Sequence, residues 1–200
     1  MKTLARPAPT TPALPEPDAR TAWRRRVAAV GSQFQLAFAA LWLVRGTLAT
    51  GWPMRPLIAI ALVGAAAALS AWGALATRGL APRPRGPRAR GLGRSVTIAT
   101  VVQLAASCAL PFVVTAFGRP DLTVPAIAVT IGILLLWLRA VLATPGHLAA
   151  GMLLIAIPVA LALTLTGTTL TSTSGLVTAA ILAGSAYTGF RWLVRGSVSG

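Results

Sequence analysis

Few residues of this chain could carry out acid–base, nucleophilic or metal chemistry. Its 200 residues include three acidic side chains, one histidine and one cysteine. Glu16 and Asp18 lie in a proline-rich N-terminal segment, Asp121 follows Arg-Pro in a short turn, His147 follows Pro-Gly, and Cys108 lies inside an apolar run. These groups are too scattered to predict a metal cluster or a catalytic triad. The sequence therefore predicts a protein that is not an enzyme, with no cofactor and no metal.

The single histidine and cysteine have simple structural interpretations. We expect His147 to be a surface residue, because it has no metal-ligand partner nearby in the sequence. Cys108 is expected to be a small packing residue, since no base lies near it in the sequence. Asp121 is expected to stabilise its turn or cap the following helix.

Three glutamines are the only side-chain amides in the apolar runs: Gln33, Gln35 and Gln103. An amide that faces lipid leaves its polar atoms without partners, so these side chains should point towards other helices. Two interpretations follow. The amides line a polar pathway, or they form hydrogen bonds that hold the first and third helices together.

Six apolar runs separate the polar segments, and together they define the fold class. The chain is 56% hydrophobic and 10% charged, and its mean hydropathy is +0.76, which is too apolar for a soluble domain. Each run is close to the roughly 17–25 residues that cross a ~30 Å hydrocarbon core as a helix. The prediction is an all-α bundle (residues 23–196) of six transmembrane helices, at about 27–44, 57–77, 96–117, 122–142, 148–166 and 176–194.

The basic residues predict the orientation of this bundle. Seventeen arginines and one lysine fall mainly on alternate sides of the runs, fifteen on the side of the N-terminus and three on the other. Because positive charge is enriched in cytoplasmic loops, both termini should be cytoplasmic. The same effect explains the net charge of +15 without nucleic-acid binding. Frequent Arg, Ala, Gly and Pro are typical of a GC-rich bacterial genome, so we expect the bacterial cytoplasmic membrane.

Two segments outside the runs are expected to be solvated. Residues 1–22 contain five prolines, which predicts a disordered cytoplasmic tail. Residues 78–95 form an arginine-rich cytoplasmic loop that is expected to be extended. Its basic side chains could contact anionic lipids or serve only to orient the chain. The candidate lipid contacts are Arg78, Arg83, Arg85, Arg88, Arg90 and Arg94.

Sequence matches between the two halves suggest an internal repeat. Leu41-Trp42-Leu43 resembles Leu136-Trp137-Leu138, and Leu57-Ile58-Ala59-Ile60 resembles Leu154-Ile155-Ala156-Ile157. Such matches fit a 3+3 inverted repeat, as in many transporter folds, although apolar sequences also produce them by chance. The pair Gly64 and Ala68 predicts a central second helix. The almost purely apolar fourth run is expected to face lipid. Trp42, like the other tryptophans at the ends of the runs, is expected at the membrane interface. The Thr/Ser/Gly stretch Thr164–Gly175 is expected to be a short external turn.

One stretch resembles a known group of proteins. The run Phe117–Gly132, with its Gly-x-Pro turn followed by Pro-Ala-Ile-Ala and a helix glycine, is similar to small uncharacterised bacterial six-span integral membrane proteins. The chain departs from that pattern after Gly132, at Ile133–Trp137. The resemblance implies a fold and no activity.

These observations lead to one functional prediction and one alternative. The absence of Asp, Glu and Lys from the runs and the small-residue faces favour a non-enzymatic accessory or scaffold subunit, with the lipid bilayer and a membrane protein or a second copy as partners. The alternative is a small permease or channel-like carrier, which the repeat and two prolines within the runs, Pro111 and Pro158, would fit.

Overall fold

The computed structural model describes residues 19–50, 53–76, 87–142 and 146–198, and all secondary structure in them is helical. The helices follow the apolar runs because backbone groups in such runs can be satisfied within one helix. A short 3-10 turn, Pro120–Leu122, precedes the fourth helix. The helices are α1 (Ala19–Leu48), α2 (Arg55–Ala76), α3 (Pro87–Ala116), α4 (Thr123–Leu142), α5 (His147–Thr164) and α6 (Gly167–Val198).

The centre of the bundle is formed by α1, α4, α5 and α6. The most extensive helix pairs are α1 with α6, α4 with α5, α1 with α2, and α3 with α4. Among the core residues, Trp42 of α1, Ala128 of α4, Leu154 of α5 and Leu182 of α6 are each at most 4% exposed. The two remaining helices, α2 and α3, pack on this centre from outside, so most of their surface is exposed.

Large apolar side chains cover the outside of the bundle. Phe34, Ile60, Phe112 and Leu163 are between 63% and 83% exposed, although they lie on four different helices. Within the described residues, three stretches are long and apolar enough to cross a membrane: Gly93–Ala116, Pro120–Val141 and His147–Thr164. An exterior of this kind is stable in lipid, which indicates a membrane protein. The sequence predicted six membrane-spanning helices, and three of the described stretches meet the criteria of length and apolar composition.

The predicted positions of the second and fourth helices are wrong. Gly64 and Ala68 lie on an exposed surface of α2, and a Cβ added at Gly64 would meet no atom within 4 Å. In contrast, α4 buries Val124, Ala128 and Leu135 in the core. Apolar character misled the prediction here, because inside a membrane the core and the lipid-facing surface are equally apolar.

Three predicted boundaries between helix and loop also differ. Residues 87–95 of the arginine-rich loop are helical, since α3 begins at Pro87, where proline suits a first helical position. The Thr/Ser-rich stretch expected as a turn at 164–175 is helical from Gly167 onwards. Residues 19–22 of the expected tail belong to α1. Residues 1–18 and 77–86 lie outside the described residues.

The matched segments of the internal repeat occupy different surroundings. Trp42 is 4% exposed, whereas its counterpart Trp137 is 53% exposed. Leu57 is 60% exposed, whereas Leu154 is completely buried. The helix pairing is compatible with two related halves only in part. Exchanging α1, α2 and α3 with α4, α5 and α6 converts the α1–α2 pair into α4–α5, and α1–α6 into α3–α4. The α5–α6 pair has no α2–α3 counterpart of similar extent in the described structure.

Candidate functional site

A set of buried polar side chains lies along α1 and α6, the most extensive helix pair of the bundle. Five side-chain atoms there are buried and have no hydrogen-bond partner, and within the described residues they are the complete set of such atoms. We call these five residues the α1–α6 seam. They are Gln35 (Oε1) and Trp42 (Nε1) on α1, and Ser174 (Oγ), Thr178 (Oγ1) and Ser185 (Oγ) on α6.

The two sides of the seam face each other along antiparallel helices. Gly46 lies against Gly175, and Ser32 lies against Gly189. These contacts are fourteen residues apart on both helices, so positions on α1 and α6 match at a constant register. With this register Gln35 is within one residue of the level of Ser185, and Trp42 is within one residue of the level of Thr178. Ser174 lies about one helical turn from Thr178, so the polar groups occupy three levels along the interface.

Glycines bring the two helices close enough to bury these groups. A Cβ at Gly175 would lie 3.0 Å from the Gly46 Cα and 3.1 Å from the Trp42 carbonyl oxygen. A similar contact joins α4 and α5, where a Cβ at Gly132 would lie 2.8 Å from the Gly151 carbonyl oxygen. Small residues permit such close backbone packing in membrane helices.

The chemistry of the seam is that of neutral donors and acceptors. It contains hydroxyls, an indole N–H and one amide, and no ionisable side chain. Leaving a buried polar group unpaired costs about 1–3 kcal/mol, so this arrangement is costly unless a small neutral molecule such as water completes the hydrogen bonds. The seam offers donors and acceptors that suit uncharged hydrogen-bonding groups, and nothing in it offers a base or a nucleophile of raised reactivity.

Gln103 lies in a second polar contact, between α3 and α4. Its Nε2 donates hydrogen bonds to Thr130 Oγ1 at 2.9 Å and to Ser107 Oγ at 3.1 Å. Thr130 in turn donates to the Ile127 carbonyl oxygen at 2.8 Å. The amide therefore joins the third helix to the fourth, whereas the sequence interpretation joined the third to the first.

The other two glutamines lie on α1. Gln35 is buried in the seam at 8% exposed, and Gln33 is half-buried. Gln103 Nε2 donates its hydrogen bonds to residues of α3 and α4, and to neither Gln33 nor Gln35. That all three amides line one polar pathway stays a prediction.

Asp121 connects the α3–α4 turn to the start of α6. Arg119 donates hydrogen bonds to both of its carboxylate oxygens, at 3.0 and 3.2 Å, and the Gly167 N–H donates to Oδ2 at 3.2 Å. Gly167 has a φ of +60° and is the first residue of α6. Asp121 was expected to cap the helix that follows it, and the helix that it caps is α6.

His147 contradicts its predicted surface position. It is the first residue of α5 and is only 3% exposed. The preceding Gly146 has a φ of +77° and lies against Thr188 of α6, so the chain turns tightly into the bundle at this point. Cys108, expected to pack, is exposed on α3. No group of three His, Cys, Asp or Glu residues in the described part of the chain is placed to hold a metal ion.

Only part of the predicted lipid-contact set can be placed. Arg90 and Arg94 are exposed in the first turns of α3. Arg88 is in the same helix, but its side chain lies outside the described residues. The same applies to the whole of Arg78, Arg83 and Arg85.

Sequence reasoning missed most of the seam. Ser174, Thr178 and Ser185 share one face of α6 through spacings of four and seven residues. That periodicity was a usable signal, but assigning 164–175 to a turn separated Ser174 from the others. Trp42 was interpreted as an interfacial residue, whereas its indole is 4% exposed inside the bundle.

Comparison of this chain with protein-family models, with curated proteins and with solved structures gives no match.

Proposed function

We propose that this protein is a non-enzymatic integral membrane protein of the bacterial cytoplasmic membrane, with six membrane-spanning helices and both termini in the cytoplasm. Its role is that of an accessory or scaffold subunit that binds another membrane protein or a second copy. The similarity of Phe117–Gly132 to small six-span bacterial proteins supports this arrangement of the chain. The proposal is argued below from the spans and then from the surface of α2.

The spacing of charged residues supports spans beyond the three most apolar stretches. In α4, Asp121 and Arg139 are separated by 17 uncharged residues, or about 27 Å of helix at 1.5 Å per residue. In α1, Arg26 and Arg45 are separated by 18 uncharged residues, a similar length. Both distances are close to the ~30 Å hydrocarbon core. The exposed side of α1 carries Phe34, Phe38 and Leu41, which suits contact with lipid.

The observation that carries the scaffold role is the uncovered small-residue surface of α2. Gly64, Ala65, Ala67, Ala68 and Ala71 are all exposed. The main packing partner of α2 in the described structure is α1. Small residues release little energy by contacting lipid but allow another helix to approach closely. A helix from another membrane protein or a second copy would pack there as α6 packs on α1.

Site-specific crosslinking would test this role. A photoreactive amino acid at Ala68 is expected to give discrete adducts in intact membranes, because the partner helix lies within contact distance. The same probe at Val159, an exposed residue of α5, is the matched control and should give only lipid adducts. Adding Gly64→Leu should remove the Ala68 adducts by blocking close approach. Equal adducts from both positions, or none from Ala68, would contradict the proposal.

A second candidate, a small permease or channel-like carrier, is favoured by the α1–α6 seam. A file of neutral donors and acceptors inside the bundle could pass small uncharged polar molecules once it is hydrated. The paired arrangement of helices, which fits a 3+3 inverted repeat in part, also supports this candidate. The scaffold remains our preferred proposal because glycine contacts close the same α1–α6 interface at Gly46 and Gly175.

A further inference from the structure

Arginines at the two ends of the bundle differ in their partners. At the end that contains the α3–α4 turn, Arg119 pairs with Asp121, and Arg55 Nη1 donates to the carbonyl oxygens of Leu48 and Thr50, at 3.4 and 3.2 Å. Arg119 therefore neutralises the carboxylate of the turn, and Arg55 provides hydrogen bonds to carbonyl oxygens at the C-terminus of α1. Two of the three arginines at this end therefore have partners inside the protein; the third, Arg45, is exposed.

At the opposite end, five exposed arginines have no partner in the described part of the chain. They come from four helices, whose antiparallel order places them at the same end of the bundle. Asp121 is the only carboxylate side chain among the described residues, and it lies at the other end. We call this set the arginine belt: Arg25 of α1, Arg90 and Arg94 of α3, Arg139 of α4, and Arg191 of α6.

The hydrogen bond between Gln103 and Thr130 defines the depth of the belt. Arg94 lies nine residues before Gln103 on α3, and Arg139 lies nine residues after Thr130 on the antiparallel α4. Both arginines are thus about 13 Å along the helix axes from this bond, at 1.5 Å per residue. Asp121 lies nine residues from Thr130 in the other direction. The bond is at mid-depth, and Arg94 and Arg139 are about half of a ~30 Å hydrocarbon core away from it, where lipid phosphates begin. Arg90 lies four residues further out on α3, or about 6 Å of helix.

We propose that the arginine belt binds the phosphate groups of anionic phospholipids in the leaflet at this end of the bundle. A guanidinium group forms paired hydrogen bonds with phosphate, and it retains its charge at any physiological pH. Exposed arginines without acceptors in the described part of the chain, at phosphate depth, match this ligand in charge and geometry. The inference rests on the membrane-spanning arrangement proposed above, and it does not depend on the α2 surface.

Lipid retention by the full-length protein tests the belt. The protein is reconstituted in nanodiscs of equal phosphatidylcholine and phosphatidylglycerol, re-extracted in neutral detergent and analysed by native mass spectrometry. We expect retained phosphatidylglycerol to exceed phosphatidylcholine. The variant R90Q/R94Q/R139Q should weaken this preference by roughly fivefold for each arginine removed. Arg55→Gln, at the other end, is the matched control and should keep it, because this guanidinium already donates to the Leu48 and Thr50 carbonyl oxygens.

Several results would overturn the proposal. Equal retention of the two lipids by the unaltered protein would do so, as would an equal loss in Arg55→Gln and in the triple variant. Displacement of phosphatidylglycerol by millimolar inorganic phosphate would assign the belt to soluble phosphate instead. If the triple variant fails to insert, the unaltered protein decides the matter: a preference that is unchanged in 1 M salt, where the Debye length is about 3 Å, would contradict binding through the belt. The crosslinking test on α2 reports on a different surface, so either proposal can fail alone.

Discussion

Gly132→Ala and Gly175→Ala are each expected to destabilise the bundle by about 1–3 kcal/mol, the usual cost of overpacking. At Gly132 the new methyl group would lie 2.8 Å from both the Gly151 carbonyl oxygen and Ile155 Cγ1. At Gly175 it would lie 3.0 Å from the Gly46 Cα. Backbone atoms cannot rotate away from a methyl group, so the helices must separate and lose contacts along the interface.

Gly64→Ala is the matched control for these substitutions. It makes the same chemical change in a helix, but no atom lies within 4 Å of the new Cβ. Alanine also has the higher helix propensity, by up to about 1 kcal/mol, so this variant should be as stable as the parent or more stable. Thermal unfolding in detergent micelles measures all three variants. Equal stability of the three would contradict the close packing of α4 on α5 and of α6 on α1.

Thr178→Val is expected to stabilise the protein by about 1 kcal/mol if the α1–α6 seam is dry. The substitution keeps the side-chain shape and removes a hydroxyl that is fully buried and unpaired. Removing a group of this kind recovers its desolvation penalty. Thr47→Val is the matched control on α1: Thr47 is 5% exposed, but its hydroxyl donates to the Leu43 carbonyl oxygen at 2.7 Å. That variant should lose stability or remain unchanged.

The same pair of variants separates the two candidate functions. If molecules of water occupy the seam, Thr178→Val removes a hydrogen bond to them and lowers the melting temperature. A hydrated seam would favour the carrier, whereas a dry seam would favour the scaffold. The measurement is a comparison of melting temperatures in one detergent. A loss of stability in Thr178→Val larger than that in Thr47→Val would contradict the dry seam.

The sequence predicted where helices form better than which of their surfaces are buried. Apolar length and the flanking charges predicted both ends of α4 to within one residue. The helix was expected at 122–142 and spans Thr123–Leu142. Apolar character did not distinguish Ala128, which is in the core, from Ile133, which is exposed. In a membrane, both kinds of position favour the same side chains. Burial depends on the packing of helices that are distant in sequence.

Composition alone was a poor guide to the structure around polar residues. A Thr/Ser-rich stretch was expected to be a turn, but Thr171 donates to the Gly167 carbonyl oxygen at 3.2 Å and so satisfies its hydroxyl within the helix. Asp121 caps this helix from another part of the chain, over 46 residues. No local pattern could have predicted that contact. His147 is likewise buried at a place where distant parts of the chain meet, since Thr188 of α6 lies against the preceding Gly146.

The central claim is that all six helices cross the membrane with both termini in the cytoplasm, and topology reporters test it most directly. Fusions of alkaline phosphatase and of green fluorescent protein would be placed after Gly51, Gly86, Gly167 and Gly200. The account predicts phosphatase activity at Gly51 and Gly167, and fluorescence at Gly86 and Gly200. Gly51 and Gly86 reporting the same side would mean that α2 does not cross the membrane. That result would contradict the six-span arrangement on which the proposed function rests.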